Sequence, residues 1–267
     1  MEILGYLSAI LIGLSLGMVG SGGSILTVPV LVYLMNINPL LATTSSLFIV
    51  GTTSFTGAMR AYSKKMVDFR AVVEFGIPSI FSVFMTRHYL LPAIPARIFT
   101  IGNLVVSKEV FLMILFAALM LIASITMIAN SKKETEGLVR SLTGHNQVFP
   151  LVFLGLFIGV VTGLLGAGGG FLIIPSLVLF LKLPMKTAVG TSLLLVAINS
   201  LFGFLFSLKQ FEYNWTILLS FTALAIVGIF IGSRLADKIP ATSLKKGFGW
   251  FVLVMGCYII IKEIFLN

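Results

Sequence analysis

Two short glycine clusters are the parts of this sequence best placed to do chemistry. They are Gly20-Ser-Gly22-Gly23, followed by Ser24, and Gly166-Ala-Gly168-Gly169-Gly170, with Pro29 and Pro175 downstream. Glycine adopts backbone conformations that other residues avoid and lets a second group approach the chain closely. A helix interrupted at such a cluster frees N–H groups at the start of the next half-helix, near residues 24–25 and 170–171. Those amides, at the positive end of a helix dipole, favour an anion without any charged side chain. The spaced glycines Gly13 and Gly17, and Gly159 and Gly163, follow the small-xxx-small pattern and read as helix-packing positions.

A second polar set follows each cluster: Thr43-Thr-Ser45-Ser46 and Gly190-Thr191-Ser192, then Thr52-Thr-Ser54 and Asn199-Ser200. On a helix, Ser46 and Ser54 lie about 80° apart, as do Ser192 and Ser200. Such hydroxyls either bond the carbonyl one turn back or complete the shell around an oxyanion. The candidate substrate-binding set is therefore Gly22, Gly23, Ser24, Ser45, Ser46, Gly168, Gly169, Gly170, Thr191, Ser192 and Asn199. Asn199 is the strongest single candidate, because burying an unpaired amide is costly.

Charged groups within apolar runs are few. Glu74 lies about one turn inside a run; it is either a proton-coupling carboxylate or a salt-bridged end residue, and its repeat counterpart is Ser220. Arg87 and Arg234 sit near matching run ends and read as topology markers, with attraction of anions at a vestibule as the alternative. His88 and His145 read as surface residues. The lone Cys257 excludes internal disulfides and CxxC chemistry. No HExxH, Walker A or GxSxG motif is present, so the expectation is a non-enzyme without metal or cofactor, and any transport would draw on a gradient or on the substrate's own concentration difference.

These residues need elements to hold them, and composition says what kind. The 267 residues are 58% hydrophobic and 10% charged, with a mean hydropathy of +1.11. Soluble domains carry roughly 25% charged residues. Residues 3–59 contain no Asp, Glu, Lys, Arg or His. As helix that run would measure roughly 86 Å, against a hydrocarbon core of about 30 Å. It must enter a bilayer more than once. Without water to satisfy the backbone, the apolar runs must be helices. The net charge of +9 comes from Lys and Arg scattered between apolar runs, which orients membrane proteins and does not point to nucleic acid.

A shift of 146 residues lays residues 20–29 onto 166–175 without a gap, and 15 of the 45 positions from 13 to 57 are identical. Asp68-Phe69 falls over Asn214-Trp215 in the same register. If each glycine-rich run returns to its own side as a re-entrant pair, all of the 18 Lys and Arg except Arg87, Arg97, Lys108, Lys209 and Lys262 lie on one face. Eight single crossings would instead divide them evenly, and the positive-inside rule prefers the first arrangement. The predicted fold is an all-α polytopic membrane protein with two inverted-topology repeats. Each repeat is a Gly-broken re-entrant helix pair plus about three transmembrane helices. Residues 1–130 form the first repeat, 131–148 a polar cytoplasmic linker, and 149–267 the second. Residues 88–106, where the halves diverge, leave an additional pass open.

With its two Gly-to-Pro segments, the helix starts Ala42-Thr-Thr-Ser-Ser46 and Ala188-Val-Gly-Thr-Ser192, and Gly228-Ile-Phe-Ile-Gly232-Ser-Arg234 leading into Pro240, the chain resembles the sulfite exporter TauE/SafE family. The first half departs at the last element, reading Val83-Phe-Met-Thr-Arg87. The resemblance implies a permease of the bacterial or archaeal cytoplasmic (inner) membrane that moves sulfite, a sulfonate or a related sulfur oxyanion, usually outward. Its partners would be a small anion and the lipid bilayer, and a homodimer is compatible with it. Import of thiosulfate or a sulfonate on the same scaffold is the alternative.

Overall fold

A computed structural model describes residues 2–101, 104–129, 148–181, 183–235 and 241–265. The first half begins with α1 (Glu2–Val19), a 3-10 segment (Gly20–Leu26) and α2 (Thr27–Tyr33). Then come α3 (Pro39–Ser63) and α4 (Phe69–Met85), which runs on through a π-helical turn (Thr86–Leu90) into Leu91–Ala93. After a β-hairpin, α5 spans Lys108–Ala129. The second half contains α6 (Val148–Leu165), α7 (Gly170–Phe180), α8 (Met185–Ser207), α9 (Trp215–Leu235) and α10 (Ala241–Phe265). Each half thus has a short pair followed by three longer helices.

Local chemistry starts and stops these helices where the repeat pattern indicates. The Asn38 carboxamide oxygen accepts the Leu40 N–H at 2.9 Å, and Pro39 occupies the first turn of α3. Asp68 caps α4 by accepting from Ala71 N–H at 3.0 Å, and its repeat counterpart Asn214 caps α9 by accepting from Ile217 N–H at 3.2 Å. Phe69–Ala93, Lys108–Ile125, Met185–Gln210 and Trp215–Leu235 are long and apolar enough to cross a membrane, whereas Leu4–Val19, Gly23–Tyr33 and Leu151–Leu165 are shorter.

The helices pack by exchange between halves. α1 lies along α9, α6 lies along α4, α5 pairs with α10, and α3 crosses α8 at the centre. The contacts repeat at residue level. A methyl group on Gly13 would fall 1.9 Å from the Ala225 carbonyl, and one on Gly159 would fall 2.4 Å from that of Ser79, its repeat equivalent. Likewise Gly228 abuts the Ile10 carbonyl, while its counterpart Ser82 donates its hydroxyl to Leu156 O at 2.7 Å. The first half therefore keeps the packing that its departure from Gly-xxx-Gly put in question, with small hydroxyl residues replacing glycine. Large apolar side chains such as Leu11, Ile77, Phe153 and Val254 cover the outer faces, as lipid contact requires.

One element departs from the all-α expectation. Arg97–Ile101 and Leu104–Ser107 form an antiparallel hairpin, with Phe99 opposite Val106 and Ile101 opposite Leu104. A two-stranded ribbon has open edges that hydrocarbon cannot satisfy, so Arg97–Ile101 and Leu104–Ser107 do not have the form of an additional pass. The predicted linker, 131–148, lies outside the described residues except for Val148.

Candidate functional site

Both glycine clusters interrupt the helices. α1 ends at Val19, and Gly20 turns the chain with φ of 75°; α6 ends at Leu165, and Gly166, Gly168 and Gly169 all have φ near 70°. An L-residue is strained in that region. Ser24, fully buried in the first break, donates its hydroxyl to the Ala167 carbonyl of the second at 2.5 Å. That bond joins the two breaks directly.

Amides of the first break close helical turns. Gly22, Gly23 and Ser24 lie within the 3-10 segment, where N–H groups reach carbonyls three residues back, and Thr27 N–H bonds Ser24 O. In the second break, Leu172 and Ile173 N–H both bond Gly169 O, at 3.0 and 3.2 Å, and α7 begins at Gly170.

The predicted hydroxyls divide into two sets. Ser45 is buried, and Ser192 donates to Val189 O at 2.8 Å. Thr191 accepts the Asp68 N–H at 2.9 Å and so serves the junction of α8 with α4. In contrast, Ser46, Ser54 and Ser200 are fully buried, and their hydroxyls have no hydrogen-bond partner among the described residues. Asn199 donates to Ser79 Oγ at 2.7 Å, leaving its own oxygen unpaired. The buried Thr162 hydroxyl of α6, which the sequence reading passes over, is also unpaired. Ser200 Oγ lies 2.9 Å from where a Gly168 methyl would stand, and Thr162 Oγ1 lies 2.5 Å from the same point on Gly169. The second break is thus held directly against two unsatisfied hydroxyls. Glu74 stands apart, in an ion pair with Arg70 at 2.7 Å on one helix face.

Arg87 differs most from its sequence assignment. It is not a surface marker but the largest fully buried side chain. Its Nη1 donates to Thr44 Oγ1 at 2.9 Å, while Nε and Nη2 have no partner among the described residues. Thr86 beside it packs on Gly163, and Thr43, next to Thr44, packs on Gly166. Tyr213 donates to the Ser207 carbonyl at 3.1 Å, and burial pushes its phenol up to about 12. The signal was in the register. The 146-residue shift sets Arg87 over Ser233, which accepts a bond from Arg60, and sets the exposed His88 over the exposed Arg234.

Residues 6–259 match the family model described as Sulfite exporter TauE/SafE. A probable membrane transporter protein of Xylella fastidiosa is 28% identical over 257 residues, covering 94% of this chain and 91% of its own. The probable membrane transporter protein YunE of Bacillus subtilis is 24% identical over 279 residues, covering 97% and 99%. MJ0441 of Methanocaldococcus jannaschii, also a probable membrane transporter protein, is 33% identical over 114 residues, covering 40% and 43%. No solved structure matches the chain significantly. Paired helix breaks, a polar centre inside an apolar exterior, and a family match over nearly the whole length agree: this chain belongs to the sulfite exporter TauE/SafE family and is a multi-pass membrane transporter.

Proposed function

We propose that this protein carries a small sulfur oxyanion, such as sulfite or an organosulfonate, across the cytoplasmic membrane of a bacterium or archaeon. The substrate site lies between the two helix breaks and the crossing of α3 and α8. The observation that carries this reading is the set of buried, unpartnered hydroxyls on Ser46, Ser54, Thr162 and Ser200, of which Thr162 and Ser200 lie against the glycines of the second break. An unsatisfied buried polar group costs about 1–3 kcal/mol. Hydroxyls can donate to an oxyanion and recover that cost only when it binds. The resemblance in family supplies sulfur as the central atom and outward movement as the expected direction.

Residues 1–130 and 149–267 act as two inverted repeats that rock about this site. Support comes from which chain ends meet. Arg60 bonds Ser233, and Asp68 bonds Thr191. Eight single crossings would put the members of each pair on opposite faces of the bilayer; re-entrant pairs put them on the same face. The reciprocal packing of α1 on α9 and α6 on α4 has the form expected for halves exchanged by a two-fold axis.

The test is flux. Protein reconstituted in liposomes should move sulfite down an imposed gradient, with thiosulfate and taurine as competitors, and vesicles of known orientation separate export from import. No movement of any of the three would sink the proposal.

A further inference from the structure

We propose that Arg87 is the anion's charge partner: an inward-facing fork that takes two oxygens of one oxyanion. This rests on the transport reading and adds a residue and a geometry to it. Four observations converge. Arg87 is fully buried, and no carboxylate pairs with it among the described residues. A guanidinium cannot shed its charge at physiological pH, so it needs an anion from elsewhere.

The unused atoms also have a particular arrangement. In a guanidinium, Nη1 lies on the Cδ side, whereas the Nε–H and one Nη2–H point the same way from the opposite edge. Thr44 occupies Nη1, so the open edge is the side-on pair of parallel donors. That fork matches two oxygens of a carboxylate, sulfite or sulfonate group in a bidentate bond. Finally, Arg87 stands at the second break, through Thr86 on Gly163 and through Thr44, whose neighbour Thr43 packs on Gly166. Movement of one repeat against the other would therefore move the fork. Its repeat counterpart is Ser233, so the charge is present in one repeat alone, and a single anion suffices to neutralise it.

The ligand role and a purely structural role predict opposite behaviour of the unliganded protein. If Arg87 braces the fold through Thr44, then Arg87→Met melts lower. If it waits for an anion, removing an uncompensated buried charge leaves the unliganded melting temperature unchanged or raises it. The experiment uses the full chain purified in detergent, melted with and without millimolar sulfite or sulfoacetate, against sodium chloride at equal ionic strength, together with liposome flux. Expected are a sulfite-dependent rise in melting temperature for the parent, none for Arg87→Met, and a requirement for about tenfold more sulfite in Arg87→Lys, which keeps the charge and loses the fork. Should Arg87→Met fail to fold, Arg87→Lys carries the test alone. Parent-like sulfite dependence in Arg87→Lys, or no anion response in the parent, overturns the inference. Parent flux that survives either substitution overturns it while leaving the transport reading intact. An Arg87-dependent anion response without flux does the reverse.

Discussion

At the scale of single residues, the groups that matter are those whose hydrogen-bonding capacity the fold leaves unspent. Ser46 and Ser200 have no hydrogen-bond partner for their hydroxyls among the described residues, so truncating them removes no side-chain bond seen in the fold. Ser46→Ala and Ser200→Ala should change stability by no more than about 0.5 kcal/mol, or raise it, while lowering sulfite flux about five- to tenfold, the value of one hydrogen bond of about 1–1.5 kcal/mol. Thermal melting and liposome flux on the same preparations check this; equal flux would mean these hydroxyls face no substrate. Asn199 differs because it also donates to Ser79. Asn199→Leu should therefore lose about 1–3 kcal/mol of stability as well as flux, since Ser79 is left buried without that donor. Sequence identified Asn199 and Ser46 correctly as buried polar residues, because hydroxyls and amides in apolar helices stand out. It could not tell them from Ser192, whose hydroxyl donates to Val189, or from Thr191, which accepts the Asp68 N–H.

Helices in this molecule approach one another through glycine and hydroxyl rows. The α1–α9 contact has no room for a side chain: a Cβ on Gly228 would meet the Ile10 carbonyl at 2.3 Å. Backbone cannot retreat as a side chain can, so Gly228→Leu should separate the pair and lower the melting temperature by several degrees, equivalent to about 1–3 kcal/mol. Gly168→Ala tests the break itself. Its φ of 67° strains any other residue by about 1–2 kcal/mol, and the added methyl would press on Ser200 Oγ. Flux should fall more than stability does, as read by the ratio of transport rates at equal folded protein.

For the molecule as a whole, the disposition of the two halves across the bilayer is the property to measure. After replacement of Cys257 by serine, single cysteines at the exposed positions Lys65 and Lys186 should react with an impermeant maleimide from one face, and one at Lys209 from the other. Lys65 and Lys186 labelled from opposite faces would rule out the re-entrant pairs. Rocking about the α3–α8 crossing also requires that contacts at either end break in turn. Arg60 with Ser233, a bond between the two halves, is in position to do so.

Sequence alone determined that the chain lives in lipid, that it is an internal duplication, and that its helices break at the glycine clusters, because each of these follows from local composition or from register within one segment. It also matched Asp68 with Asn214 in register, and in the structure both cap helices through bonds that reach three residues along the chain. Tertiary structure decided what depends on distant partners. Ser24 meets Ala167 across 143 residues, Asn199 meets Ser79 across 120, and Arg87 meets Thr44 across 43. Whether a hydroxyl is spent or free, and whether an arginine at a helix end faces water or the interior, is a property of what packs against it. The hairpin at 97–107 escaped for a related reason: its strands are held by each other, and a short apolar run carries no mark that tells strand from helix.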